Sequence, residues 1–104
     1  MKTETFVNKY GPRFEEKFVV CLVKDKDFAS QCIDAVDENF IDADYLKTVV
    51  KILFRYHEKY KVFPTMQNLE LLVSQIKDET IRALSSDFII KAKVENDFDL
   101  LEIL

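Results

Sequence analysis

The sequence predicts an all-α protein, a compact orthogonal bundle of about five to six helices. Apolar residues recur at helical spacing along most of the chain, and Gly11 is the only glycine. Strands joined by hairpins usually need glycine-rich turns, so a hairpin-based β fold is disfavoured. The prolines, Pro12 and Pro64, both lie at predicted helix boundaries. With 104 residues, we expect one domain whose core is large enough to fold without metals or disulfides.

The first helix is predicted to span residues 12–23. Residues 1–11 read as a flexible N-terminal arm, and residues 12–104 as the helical domain, expected to be part of a longer chain. Gly11-Pro12 suits a helix start because proline is tolerated at the first helical position. The predicted inner face comprises Phe14, Phe18, Cys21 and Leu22.

Asp25 is the predicted N-cap of the second helix, which is expected to end at residues 37–39. Phe40 and Ile41 should then enter the core, before Asp42 caps a long third helix. The predicted buried residues of the second helix are Phe28, Ala29, Cys32, Ile33 and Val36.

Residues 46–76 are predicted to form one packing unit of helix, tight corner and helix. Pro64 lacks a backbone N–H and disfavours the α conformation at Phe63, so the third helix must end before it. Thr65 can cap the fourth helix, predicted at 65–76. The predicted buried stripes are Leu46, Val49, Val50, Leu53, Phe54 and His57, followed by Leu69, Leu72, Val73 and Ile76.

The fifth helix is predicted at residues 79–94 with Asp78 as its cap. A last apolar turn is expected at 98–104. Because an unsupported apolar end is an exposure liability, we favour a chain cut from something longer. The predicted inner face of the fifth helix comprises Ile81, Leu84, Phe88, Ile89 and Ala92.

The charge and the cysteines restrict the class of protein. Fifteen Lys and Arg oppose nineteen Asp and Glu, and the resulting net charge of −4 disfavours direct binding of nucleic acid. The cations are scattered among acids along the chain, so no basic stripe is expected. Cys21 and Cys32 lie in apolar runs and are predicted to be reduced, buried thiols. The sequence has no signal peptide and no apolar run near eighteen residues, so we expect a cytoplasmic protein without membrane contacts.

No catalytic, cofactor or metal site is predicted. His57 is the only histidine, and a zinc site needs three or four ligands. Ser85-Ser86 has no nearby base to activate a hydroxyl. Asp42-Ala43-Asp44 begins like a calcium loop but lacks its later glycine and glutamate. No phosphate-binding glycine loop occurs, so the chain is not expected to be an enzyme.

Aromatic side chains near the corner are the predicted partner-binding residues. Tyr56, Tyr60 and Phe63 lie on or just after the third helix, and such residues are enriched at the centres of interfaces. The alternative is that Phe63 fills the top of the bundle, as most aromatics in small helical domains do.

The order of these features resembles the N-terminal domain of DnaB-type replicative DNA helicases, in particular their phage branch. The resemblance covers residues 14–76. It rests on the acidic-then-aliphatic opening run at 15–23 and on the second helix closing at Glu38-Asn39-Phe40. It also rests on Leu53-Phe54 in the third helix and on the Pro64-Thr65 corner before a leucine-rich helix.

That resemblance implies the non-catalytic head of a hexameric helicase whose ATP-dependent motor lies in a separate C-terminal domain. Heads and the helical hairpins that follow them form a collar ahead of the motor ring. The implied partners are other helicase subunits, primase and helicase loaders. Two further hypotheses remain open: a stand-alone helical regulator of phage origin, and a small enzyme using Asp or Glu with His57.

Overall fold

The structure, a computed structural model, describes residues 10–94. Within this range the chain forms five α-helices and no strand, which confirms the predicted all-α class. Residues 1–9 of the predicted arm and the predicted turn at 98–104 lie outside the described residues. The helices are α1 (Pro12–Lys24), α2 (Lys26–Cys32), α3 (Asp44–Tyr60), α4 (Met66–Ser74) and α5 (Glu79–Val94), with a 3-10 turn at Glu38–Phe40.

The start of α1 and the cap of α2 follow the predictions. α1 begins at Pro12, directly after Gly11 with its φ of 94°. The Asp25 carboxylate accepts hydrogen bonds from the N–H groups of Asp27 and Phe28, both at 3.0 Å. α2 ends earlier than predicted, at Cys32, and a turn follows it.

Two turns follow α2, and in the first the N–H groups of Ala35 and Val36 both bond the carbonyl of Cys32. Asp37 accepts a hydrogen bond from the N–H of Asn39 at 2.9 Å and so starts the 3-10 turn. Aspartate side chains that bond their own backbone in this way compete with helix continuation. Ile33 and Val36 are only half-buried, although both pack against the core.

The predicted cap of α3 is wrong. The helix begins at Asp44 with Ala43 as its N-cap, and no side chain of the cap residue bonds the helix. Instead, the buried carboxylate of Glu15 in α1 accepts the N–H groups of Asp42 at 2.7 Å and Ala43 at 3.0 Å. A charged acceptor from another helix thus replaces the local cap. Ile41, just before, is fully buried as predicted.

The corner between α3 and α4 is confirmed. α3 ends at Tyr60, and Lys61 adopts the left-handed conformation (φ 64°) while its N–H bonds the carbonyl of His57 at 2.7 Å. Phe63 and Pro64 are buried behind it. Thr65 caps α4 by accepting the N–H of Asn68 at 3.1 Å.

α5 has its predicted bounds and its predicted cap, because Asp78 accepts the N–H of Ile81 at 3.0 Å. Its inner face differs at two predicted positions: Ile81 is only half-buried and Leu84 is exposed, whereas Ser85 is fully buried. Ser85 precedes Phe88 by three residues and Ile89 by four, so it lies at the middle of the buried stripe. Leu84, one position earlier, lies at the edge of this buried stripe.

One hydrophobic core joins these helices, and α3 contacts α1, α4 and α5. α5 runs antiparallel to α4. At one end Arg82 donates to the carbonyl of Ile76 at 2.9 Å, and at the other Lys93 pairs with Glu70. The core comprises Phe14, Phe18, Val19, Val20, Leu22, Val23, Ala29, Ile41, Leu46, Val49, Val50, Leu53, Phe63, Leu69, Val73, Phe88, Ile89 and Ala92.

Candidate functional site

The last turn of α3 and the corner after it place several aromatic rings close together. Tyr56 and Tyr60 are four residues apart, and their ring centroids are 4.6 Å apart. His57, on the neighbouring face, lies with its ring centroid 4.3 Å from that of Phe63. Two aromatic pairs therefore flank the corner, one toward solvent and one toward the core.

The three predicted partner-binding residues lie in different environments. Tyr60 is 53% exposed and Tyr56 is half-buried, whereas Phe63 is only 7% exposed and belongs to the core. Phe63 therefore fills the top of the bundle, and Tyr60 supplies the accessible aromatic surface.

Val62 is an accessible residue at this site that sequence reasoning missed. It is 59% exposed, whereas Phe63, the next residue, is buried. No sequence signal separates Val62 from Phe63, because the two are adjacent apolar residues directly before Pro64. We call Lys59, Tyr60, Lys61 and Val62 the corner surface.

The corner surface is cationic. The Nζ atom of Lys59 lies 5.2 Å from the centroid of the Tyr60 ring, within the range of a cation–π interaction. Lys61 follows directly and is exposed. Neither lysine forms an ion pair with a described residue.

The cations of α3 also form a row, which corrects our interpretation of scattered charges. Lys47, Lys51, Arg55 and Lys59 recur every four residues, a spacing that keeps them along one side of a helix. Residues 44–61 hold five cations, these four and Lys61, against the two acids Asp44 and Glu58. This segment therefore has a local charge of +3 in a chain whose net charge is −4.

A second surface lies between α4 and α5. A groove of about 330 Å³ is bounded by side chains of both helices, and the Lys93–Glu70 ion pair crosses it. Leu71 and Ile90 are each 60% exposed on these helices, and Val94 is exposed at the end of α5. We call this the α4–α5 groove. Its lining residues are Glu70, Val73, Ser86, Ile89, Ile90 and Lys93.

A smaller groove of about 190 Å³ lies beside Tyr45, near the ion pair of Lys91 with Glu16. Burial raises the pKa of the Tyr45 phenol above its ordinary value. Glu16 and Glu15 raise this pKa further, and Lys91 opposes them. These surroundings therefore favour the neutral phenol over its ionised form.

The other side chains considered for catalysis or metal binding are His57, Ser85, Cys21 and Cys32. His57 is half-buried against Phe63, and within residues 10–94 no three His, Cys, Asp or Glu side chains are grouped for metal binding. The hydroxyl of Ser85 is buried and has no hydrogen-bond partner among the described residues. Cys21 and Cys32 are thiols, each half-buried rather than buried, and burial raises the pKa of Cys32.

Comparison with protein-family models, curated proteins and solved structures found no match to this chain. None of the described helices combines the length and the apolar character needed to cross a membrane. The function is therefore inferred from the chain's own residues and their arrangement.

Proposed function

We propose that this chain is the N-terminal head domain of a DnaB-type hexameric replicative DNA helicase, acting as a collar scaffold and a docking surface for primase or a helicase loader. The observation that carries the proposal is the packing of residues 46–76. Leu53 is fully buried, and the buried Phe63 and Pro64 join α3 to a helix capped by Thr65. Two elements of the resemblance, Leu53-Phe54 and Pro64-Thr65, thus lie in a single packing unit.

The 3-10 turn also supports the proposal. In the resembled family the second helix closes on an acidic residue followed by any residue and phenylalanine, and Glu38–Phe40 forms a separate turn here. This turn contacts α3 and leads to the fully buried Ile41. The motif therefore marks the point where the chain enters the core before the long helix.

Two surfaces suit the two roles of such a head. Ile90 lines the α4–α5 groove, and Leu71 and Val94 are exposed on the same two helices, so this face offers apolar surface suited to a neighbouring subunit. The corner surface, with Tyr56 beside it, combines an aromatic pair and two cations, which suits a primase or loader. A non-catalytic role belongs to the same proposal, because the family's motor lies in a separate domain.

The first test is the reading frame downstream of the codon for Leu104. The proposal expects it to continue into a helical hairpin and a motor domain with a GxxxxGK[ST] loop. A stop codon there would overturn the proposal and favour the stand-alone regulator. The 104-residue chain itself should show no ATPase activity and little self-association in sedimentation.

The second test uses the complete product of that reading frame. Ile90→Glu in the α4–α5 groove should shift hexamers toward smaller species in mass photometry, because it puts a charge into an apolar contact. Leu84→Glu is the matched control, since Leu84 is an exposed leucine of the same helix beside the Tyr45 groove. Equal effects of the two variants would refute the assignment of the α4–α5 groove to subunit contacts.

A further inference from the structure

The direction of α5 brings its C-terminal end toward the corner. Lys93, the next-to-last residue of α5, pairs with Glu70 in α4. Glu70 lies five residues after the cap residue Thr65, about 7–8 Å along the helix axis. Because α4 and α5 are antiparallel, the C-terminal end of α5 lies on the side of the body where α4 begins, directly after the corner.

The corner surface combines features that a single occupant can satisfy. Tyr60 and Val62 each expose more than half of their surface, and Lys59 and Lys61 lie on either side of Tyr60 in the chain. The local charge of residues 44–61 is +3, as counted above. An occupant with matching chemistry has apolar side chains interleaved with carboxylates.

Residues 95–104 have that composition. The segment reads ENDFDLLEIL, with four acidic residues and no Lys or Arg, so its side chains carry −4. Half of its residues are large and apolar: Phe98, Leu100, Leu101, Ile103 and Leu104. Within residues 1–93, no ten consecutive residues hold four acids, five large apolar side chains and no Lys or Arg.

We propose that residues 95–104 dock on the corner surface of the same chain. Their carboxylates lie near Lys59 and Lys61, and their apolar side chains cover Tyr60 and Val62. The reach is sufficient: an extended chain spans about 3.3 Å per residue, and the whole described body is 31 Å in its longest dimension. Nucleic acid is the weaker occupant, because Asp44 and Glu58 lie on the same helix as the cations and the net charge is −4.

This inference does not depend on the helicase assignment. If both hold, a primase or loader that uses the corner surface must first displace residues 95–104. The docked segment then acts as a competitor that sets how accessible the corner is.

The test is NMR spectroscopy of the intact 104-residue chain. Nuclear Overhauser effects are expected between the Val62 methyl groups and side chains of residues 98–104. Lys59→Glu with Lys61→Glu should lower the ratio of docked to undocked chains about five- to tenfold and weaken these cross-peaks. Raising the salt to about 0.5 M should act in the same direction, since exposed charges are screened.

The matched control is Lys26→Glu with Lys77→Glu, which makes the same change in net charge at exposed lysines away from the corner. It should leave the cross-peaks unchanged. Core resonances of Val49 and Ile89 report whether each variant is folded. Absence of the cross-peaks in the unaltered chain overturns the proposal. It is also overturned if the control loses as much cross-peak intensity as the variant with Lys59→Glu and Lys61→Glu.

An isotope-filtered experiment identifies the copy that supplies the segment. In a mixture of labelled and unlabelled chains, cross-peaks between copies would overturn docking within one chain and assign the occupant to a second copy. A titration with a short single-stranded oligonucleotide completes the test. Displacement of the segment at millimolar phosphate and physiological salt would show nucleic acid to be the better occupant and contradict the proposal.

Discussion

Glu15 and Asp42, 27 positions apart, are joined by a 2.7 Å hydrogen bond from the backbone N–H of Asp42 to the carboxylate of Glu15. The second carboxylate oxygen accepts the N–H of Ala43 at 3.0 Å. The carboxylate is almost fully buried and lies at the N-terminus of α3, where the helix dipole favours negative charge. One side chain of α1 therefore caps the longest helix of the described residues and fixes its position against α1.

We predict that Glu15→Ala lowers the free energy of unfolding by about 2–4 kcal/mol, because it leaves two part-buried N–H groups without their charged acceptor. Glu15→Gln should cost less, about 1–2 kcal/mol, since one amide oxygen still accepts. Urea denaturation followed by circular dichroism measures both.

Glu16→Gln is the neighbouring control. Glu16 pairs with Lys91 at the surface, and such exposed pairs contribute about 0–1 kcal/mol. A loss at Glu16 as large as that at Glu15 would contradict the capping role.

Lys61 is the non-glycine residue with positive φ among the described residues, and its conformation favours glycine. Lys61→Gly should raise the free energy of unfolding by about 0.5–1 kcal/mol, the relieved strain less the added entropy of the unfolded chain. Measurement at about 0.5 M salt removes the effect of the lost charge.

Glu58→Gly, one turn earlier in α3, should instead lower the free energy of unfolding by about 1 kcal/mol, because glycine disfavours a helix interior. If both glycine variants destabilise the protein equally, the strain at Lys61 is refuted.

The local caps show what the sequence could predict. Asp25, Thr65 and Asp78 each stand just before an apolar periodic run and bond N–H groups two or three residues later. Such a signal is contained in a few neighbouring residues. The same reasoning wrongly chose Asp42, because the true acceptor comes from another helix and leaves no local trace.

The candidate site was less predictable for a related reason. Tyr60 was identified from its residue type, but Phe63 is buried and Val62 is exposed. The sequence does not distinguish which of two adjacent apolar residues turns inward at a corner. The cationic row of α3 could have been predicted from the sequence, because it follows from placing the charged residues on a helical projection.

Ser85 provides the third prediction. Its buried hydroxyl has no hydrogen-bond partner among the described residues, and an unsatisfied buried polar group costs free energy. Ser85→Ala should therefore raise the free energy of unfolding by about 1–2 kcal/mol, helped by the higher helix propensity of alanine.

Ser86→Ala is the matched control, because Ser86 is only half-buried on the α4–α5 groove. This variant should raise the free energy of unfolding by no more than the difference in helix propensity between serine and alanine, about 0.5 kcal/mol. A gain that is equal at the two positions would show that the hydroxyl of Ser85 is satisfied in solution.

The last prediction concerns the ionisation of Tyr45. Burial first, and then Glu16, raise the pKa of its phenol, whereas Lys91 lowers it. Glu16→Gln should lower the pKa, because it removes a negative charge and leaves Lys91 without its partner. Lys91→Gln should raise it. The ring carbon shift of Tyr45 in a pH titration reads this group separately from the other tyrosines.

The sign of the stability effect follows from the same shift. Because the pKa of Tyr45 is raised on folding, the folded chain keeps the phenol proton where the unfolded chain has lost it. The stabilisation is present below the ordinary tyrosine pKa of about 10 and is lost as the pH rises through the folded value. Glu58→Gln, a change of equal charge on α3, should leave the Tyr45 titration unaltered. A shift there equal to that of Glu16→Gln would mean that net charge, not the adjacent ion pair, sets the pKa.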